Sequence, residues 1–192
     1  MLVAQAMKSA ELFTGEPIGD DVTEEIYAEL LFEKRNIVLI GMPGSGKSTV
    51  GRLLSDKLGR VLVDTDEEIV RRAGIPITEI FKAKGEPAFR DLESAVIRDV
   101  SDTGGKVIAT GGGAILREEN LAALRANGVL VYLDRPLADL LPTSDRPLAN
   151  QAEKIRALYT VRRPLYEGAA DLTVPVCGTP DEIAFTIMEK LK

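Results

Sequence analysis

The segment GMPGSGKST at residues 41–49 constrains this chain more than any other. It fits the pattern G-x-x-x-x-G-K-[ST], in which a glycine-rich loop wraps a phosphate. Gly44 and Gly46 let the backbone bend until several N–H groups point at one anion. The flanking residues agree. Asn36–Ile40 (NIVLI) reads as a buried strand, and Lys47–Leu58 has helical spacing with Val50, Leu53, Leu54 and Leu58 on one face. The loop therefore joins a strand to a helix whose positive end faces the same anion. Gly44, Ser45, Gly46, Lys47, Ser48 and Thr49 are the expected contacts to ATP. Lys47 would reach the β- and γ-phosphates, and the Ser48 hydroxyl would ligate Mg²⁺. The bland alternative, a glycine-rich turn without a ligand, leaves the lysine and serine unexplained.

Downstream, short β-branched runs alternate with helical patterns. Strands are expected at Val61–Val63, Lys106–Ala109, Val129–Leu133 and Leu172–Val176. Two or three helical stretches are expected between Glu67 and Ser101, and further helices over Arg117–Ala126, Gln151–Arg163 and Pro180–Leu191. Arg135–Asn150 carries three prolines and reads as a loop. Such alternation predicts an α/β fold: a parallel sheet covered on both faces, binding its ligand beyond the carboxyl ends of the strands. Three predicted strands end in residues with chemical potential: Gly41 onward, Asp64–Asp66 and Gly111–Gly113.

Composition removes other chemistries. Histidine is absent, so imidazole catalysis and imidazole metal sites are excluded, and a metal must be held by oxygen, which favours Mg²⁺. The single cysteine, Cys177, excludes an internal disulfide and reads as a small residue packed near a strand end. The net charge of −6 and an aromatic content of 5% argue against nucleic acid as a partner. No apolar run is long enough to span a bilayer, and the apolar start lacks a signal-peptide pattern. A cytoplasmic enzyme is expected.

Three further groups of residues complete the candidate site. Asp64 and Asp66 bracket Thr65, and in an extended segment both carboxylates would point to one side. One would support Mg²⁺ and the other accept a proton from an attacking hydroxyl. The competing reading is a solvated acidic helix start, since Glu67 and Glu68 follow. Gly111–Gly113 serves either a tight turn or close approach of the backbone to a substrate. Arg90, Arg146 and Arg162 stand in the contexts FRDLE, SDRPL and VRRPLY. Their forked guanidinium groups suit carboxylate or phosphate, though composition does not choose among them.

Taken in order, GMPGSGKST, DTD, GEPAFRDLE, ATGGG, a loop ending in DRPL, and RRPLY resemble the markers of shikimate kinases over residues from about 35 to the C-terminus. The resemblance implies a nucleoside-monophosphate-kinase-like P-loop fold, with a five-stranded parallel sheet, helices on both faces and a lid loop. It implies transfer of the ATP γ-phosphate to the 3-hydroxyl of shikimate, a step towards chorismate and the aromatic amino acids. By the same resemblance Asp64 supports Mg²⁺ and Asp66 binds substrate hydroxyls and acts as the base. Arg90 and Arg162 grip the shikimate carboxylate, and Gly112 and Gly113 offer amides. Arg146 reaches the ATP phosphates from the lid and is counted as catalytic with Lys47 and Asp66. Of the adjacent arginines, Arg162 stands two residues before the proline, as in the family, and is chosen over Arg163.

The lid stretch LADLLPTSDRPLAN departs from the family. It is several residues short, and Leu141, Pro142 and Thr143 stand where relatives often carry arginines, one of them against adenine. Residues 1–33 lie outside the kinase-like part, 34–192. They read as an amphipathic helix at 1–13, a turn at Gly15–Gly19 and a second helix at Asp20–Phe32 capped by Asp21. MLVAQAMKSAELFTG resembles the C-terminal end of shikimate dehydrogenase, where a glutamine equivalent to Gln5 helps to bind shikimate. Without the rest of that enzyme Gln5 has no expected role, and the chain reads as the kinase part of a fused or formerly fused enzyme. Otherwise a monomer is expected. The rival readings are a gluconate or nucleoside monophosphate kinase, or a non-catalytic nucleotide-binding module.

Overall fold

A computed structural model describes residues 2–15, 17, 19–140 and 149–191. Its centre is a five-stranded sheet of β1 (Asn36–Ile40), β2 (Leu62–Asp64), β3 (Val107–Ala109), β4 (Gly128–Asp134) and β5 (Leu172–Pro175). All pairings are parallel, in the order β2-β3-β1-β4-β5. β1 is buried at every position, as expected for a central strand covered on both sides. Its side chains alternate between two cores. Ile37 and Leu39 join Val107, Val131 and Leu133 under α3 (Lys47–Leu58) and α9 (Pro180–Leu191). Val38 and Ile40 join Ile108, Leu130 and Tyr132 on the other face. That face is covered by α4 (Thr65–Ala73), α5 (Ile77–Ser101), α6 (Glu118–Ala126) and α8 (Ala149–Ala169).

Register sets the carboxyl ends of the central strands level. Leu39 pairs with Ala109 and with Val131, while Asp64 also pairs with Ala109. The next residues of three strands therefore emerge side by side: the phosphate loop after β1, Thr65 after β2, and Thr110 with the glycines after β3, while β4 runs three residues beyond Val131 before Arg135 follows it. At the opposite edge the buried Asn36 donates to the Thr103 carbonyl (3.0 Å) and accepts from the Lys106 amide (2.9 Å).

Several boundaries differ from expectation. β2 lies one residue later than Val61–Val63, because Val61 is exposed and Asp64 takes the last strand position. α4 starts at Thr65, since Asp64 caps it. α5 is broken at Gly85, whose φ of 77° no β-carbon would favour, and Pro87 then opens the second segment without losing a needed donor. Arg135–Asn150 is not all loop: α7 occupies Leu137–Leu140 and α8 begins at Ala149. α8 also runs past Arg163, through Pro164 to Ala169. Cys177 is free and exposed rather than packed.

The N-terminal residues form α1 (Leu2–Thr14) and α2 (Asp20–Lys34). Asp21 does not cap α2; the cap position is Gly19, with no side-chain bond. α2 is held at its C-terminal end. Arg60 donates to the carbonyls of Arg35 and Phe32, and its guanidinium lies 4.7 Å from the centroid of the Phe32 ring. α1 lies against α2 with its apolar groups largely in solvent, Leu12 at 79% and Phe13 at 93% exposure. Removing residues 1–15 is therefore expected to shift Tm by less than about 2 °C, under roughly 1 kcal/mol for a chain of this size. A thermal melt checks this, and a larger loss would make α1 part of the folded unit.

Candidate active site

The phosphate loop takes its shape from three glycines with positive φ, Gly41 (148°), Gly44 (80°) and Gly46 (96°). Gly46 stands at the cap position of α3, so the first turn of that helix opens onto the loop. Lys47 is 8% exposed. Its ammonium donates to the carbonyls of Gly41 (2.9 Å) and Met42 (2.8 Å) and to Ser45 Oγ (3.5 Å). Burial lowers its pKa to about 8, against the opposing pull of Asp66 and Asp64. The cation is thus stored inside the loop, short of solvation and close to where an anion would sit.

Ser48 Oγ donates to Asp64 Oδ2 at 2.6 Å. The other oxygen of Asp64 accepts the amides of Asp66 (3.0 Å) and Glu67 (3.4 Å), which caps α4. This corrects the expected extended pair. Asp64 ends a strand, whereas Asp66 lies in the first turn of a helix. Both readings of the acidic run hold parts of the truth: Asp64 starts a helix, and both carboxylates face one cleft of about 510 Å³, lined also by Gly44, Lys47 and Ser48. Asp66 has its pKa raised, by burial first and by Asp64 second, while Lys47 and Arg90 oppose.

A second cleft of about 180 Å³ adjoins the first, sharing Pro43, Asp66 and Gly112 as a common wall. Arg90, Arg162 and Glu93 line its far side. Arg90 donates from Nη1 to the buried Glu93 (2.6 Å) and from Nη2 to Glu86 (3.2 Å). Each terminal nitrogen keeps a second N–H. Burial works against the Arg90 charge, but the bonds to Glu93 and Glu86 outweigh it and raise its pKa. Glu93 is itself raised, chiefly by burial, and its Oε1 has no partner.

The glycine triplet serves close approach as well as a turn. A β-carbon at Gly111 would stand 2.6 Å from Asp66 Oδ1, one at Gly112 would stand 2.7 Å from Pro43 Cδ, and one at Gly113 would overlap the Arg90 guanidinium. None of the three has positive φ, so space rather than dihedral freedom sets the requirement. The Gly112 carbonyl accepts from Arg162 Nη1 (3.0 Å) and from the Tyr166 hydroxyl (2.5 Å). Burial pushes that tyrosine up to about 12. The Gly112 and Gly113 amides have no partner among the described residues. Arg163, one residue on, turns to the surface and pairs with Glu167 (2.9 Å) and Asp134 (3.4 Å).

Among the residues expected in the site, Gly44, Gly46, Lys47, Ser48, Thr49, Asp64, Asp66, Arg90, Gly112, Gly113 and Arg162 line these two clefts, whereas Ser45 is buried and lines only a third cleft. Arg146 lies outside the described residues, as do Leu141, Pro142 and Thr143. Sequence reasoning missed Glu93, Tyr166, Thr110 and Arg135. Glu93 had a signal, the three-residue spacing from Arg90 on one helix. Arg135 had a weaker one, a cation directly after a central strand. It lines the 510 Å³ cleft and also a third, of about 330 Å³, that shares Gly46 and Thr49 with it.

Known proteins resemble the chain over most of its length. The shikimate kinase family profile matches residues 43–192. The shikimate kinase of Pseudomonas entomophila (strain L48) is 42% identical over 166 residues, covering 82% of this chain and 96% of that one. The structure of shikimate kinase from Acinetobacter baumannii in complex with shikimate superposes with a TM-score of 0.78 at 36% identity, over 85% of this chain and 96% of that one. Shikimate kinase from Aquifex aeolicus vf5 gives 0.72 at 40% identity, over 81% and 95%.

Proposed function

The chain belongs to the shikimate kinase family, and we propose that it moves the γ-phosphoryl group of ATP to the 3-hydroxyl of shikimate across the wall that its two clefts share. The observation carrying this reading is the place of Asp66, whose carboxylate borders both the phosphate cleft and the arginine-lined cleft. Phosphoryl transfer needs a donor, an acceptor and a base held together, with charge neutralised around them.

The larger cleft takes the triphosphate, with the loop amides and Lys47 on its oxygens. The smaller takes shikimate, its carboxylate on the free N–H groups of Arg90 and Arg162 and its hydroxyls on Asp66 and the amides of Gly112 and Gly113. Asp66 accepts the proton of the attacking hydroxyl as the new O–P bond forms. The bond from the γ-phosphorus to the β-phosphate oxygen breaks, and ADP leaves with that electron pair. Arg146, outside the described residues, is assigned by the family resemblance alone and would add positive charge at the phosphates.

Ser48 and Asp64 fit Mg²⁺: both offer oxygen, they touch, and Mg²⁺ prefers one or two protein ligands completed by phosphate and water. When bound, the ion neutralises the phosphate oxygens during transfer. No described helix is long and apolar enough to cross a membrane. In this reading the enzyme works as a cytoplasmic monomer. In the same reading, residues 1–33 are a tail of shikimate dehydrogenase type.

Two variants separate the roles. Arg162→Ala is expected to raise the shikimate KM by about 10- to 100-fold, the worth of a lost charge-assisted bond, with the ATP KM unchanged. Arg146→Ala is expected to lower kcat far more than shikimate affinity. Steady-state kinetics in both substrates checks them. An unchanged shikimate KM in Arg162→Ala would contradict the substrate assignment, and an unchanged kcat would remove Arg146 from catalysis.

A further inference from the structure

The third cleft adjoins the phosphate cleft along Gly46 and Thr49 and runs towards Val176, Cys177 and Gly178 after β5. A nucleotide whose terminal phosphates lie in the loop must lead its ribose and base away from it. This cleft is the adjoining space on the side of α3. Arg135 stands at the seam, lining both clefts. Its position is fixed by the chain: it follows the last residue of β4, Asp134, and its amide bonds to the Leu133 carbonyl (3.1 Å). The ring of Pro136 then fixes its own φ and restricts the backbone of Arg135 before it.

The guanidinium is short of partners. Nη1 donates to the Gly44 carbonyl inside the phosphate loop at 3.4 Å, a long contact. Nε is buried and has none. Among the described residues no carboxylate pairs with this cation, although Asp64, Asp66 and Asp139 line the same two clefts. Among the described residues, the other two arginines lining the clefts are engaged. Arg90 holds two glutamates, and Arg162 donates to a carbonyl at 3.0 Å. A half-buried cation with spare donors over a phosphate loop is suited to an oxyanion.

We propose that Arg135 is a nucleotide-binding residue, clamping the phosphate chain of ATP or ADP where the phosphate cleft opens into the cleft beside β5. This rests on the nucleotide site assigned above. The contact would be direct and charge-assisted, so its loss is read in nucleotide affinity and not in shikimate affinity. It would also be screened by salt, because the seam is open to solvent.

The test is calorimetric titration of the full chain with Mg²⁺ and ADP, using wild type, Arg135→Ala and Arg135→Lys, with shikimate KM measured beside it. Arg135→Ala is expected to raise the ADP Kd by about tenfold or more, and by less at high salt. Arg135→Lys is expected to recover part of the loss, which a purely structural role would not give. Shikimate KM should stay within about twofold, and Tm should not fall. Should Arg135→Ala not fold, Arg135→Gln, of closer length and without charge, replaces it. An ADP Kd within about twofold of wild type in the uncharged variant overturns the proposal and leaves the nucleotide site standing. An equal loss in shikimate affinity, or no recovery with lysine, also overturns it. Failure of wild type to bind ADP would instead overturn the nucleotide site itself.

Discussion

Lys47→Met is expected to lower kcat by a factor on the order of 10²–10³, the usual effect of removing one preorganised donor from charge that develops in a transition state. Lys47 is 8% exposed and its pKa is lowered by burial to about 8, so the free protein holds this charge at a cost. Methionine keeps the length and apolar stem without the charge. The fold should survive, because the loop geometry rests on Gly41, Gly44 and Gly46 rather than on the lysine, and a melt within a few degrees of wild type would show it. The same lowered pKa predicts a pH dependence. Above about pH 8 the free protein loses the Lys47 proton, and a bound polyphosphate requires it back. ADP affinity should therefore fall as pH rises through 8, with proton uptake on binding, and Lys47→Met should lack both. Titrations in two buffers of different ionisation enthalpy would detect the uptake.

Asp66→Asn is expected to cost about 10²–10⁴ in kcat, the range for a lost general base, with a smaller change in shikimate KM because the amide still meets the substrate hydroxyls. Burial and the neighbouring Asp64 raise the Asp66 pKa. A carboxylate base is active when ionised, so activity should fall as pH drops through that raised value. The acid limb of the profile should then lie above the ordinary carboxylate range and be absent from the residual activity of Asp66→Asn. A variant that retains both the turnover and the acid limb would assign the base elsewhere, and the buried Glu93 would be the next carboxylate to change.

Much of this was legible in the sequence, for physical reasons that can be named. β1 and the phosphate loop were, because a fully buried run followed by Gly-rich chemistry and a one-faced helix has few alternatives. α3 and α9 match their expected limits because both carry helical apolar spacing bounded by Gly59 or Pro180. β2 and the turn after it were less legible. Three residues of strand give almost no periodicity, and Asp64 belongs to strand, cap and site at once.

The arginines show the same limit. Arg90, Arg162 and Arg163 look alike by composition; the family resemblance chose Arg162 over Arg163, and the turn of α8 puts Arg162 on the Gly112 carbonyl and Arg163 on the surface. Glu93 escaped notice because a glutamate within a helical pattern reads as solvated, whereas the close packing at Gly111 and Gly113 buries it beneath Arg90. Arg135 reads as the first residue of a loop until the register of β4 places it beside the phosphate loop.

The central claim is tested most directly by ADP release in a coupled assay with ATP and Mg²⁺, with shikimate present or absent and with gluconate and CMP as competing acceptors. Release that depends on shikimate, and is not supported by gluconate or CMP, is the predicted result. Release independent of shikimate, or supported better by either alternative, would contradict the assignment of the arginine-lined cleft. ATP binding without turnover on any acceptor would make the chain a nucleotide-binding module and not a kinase.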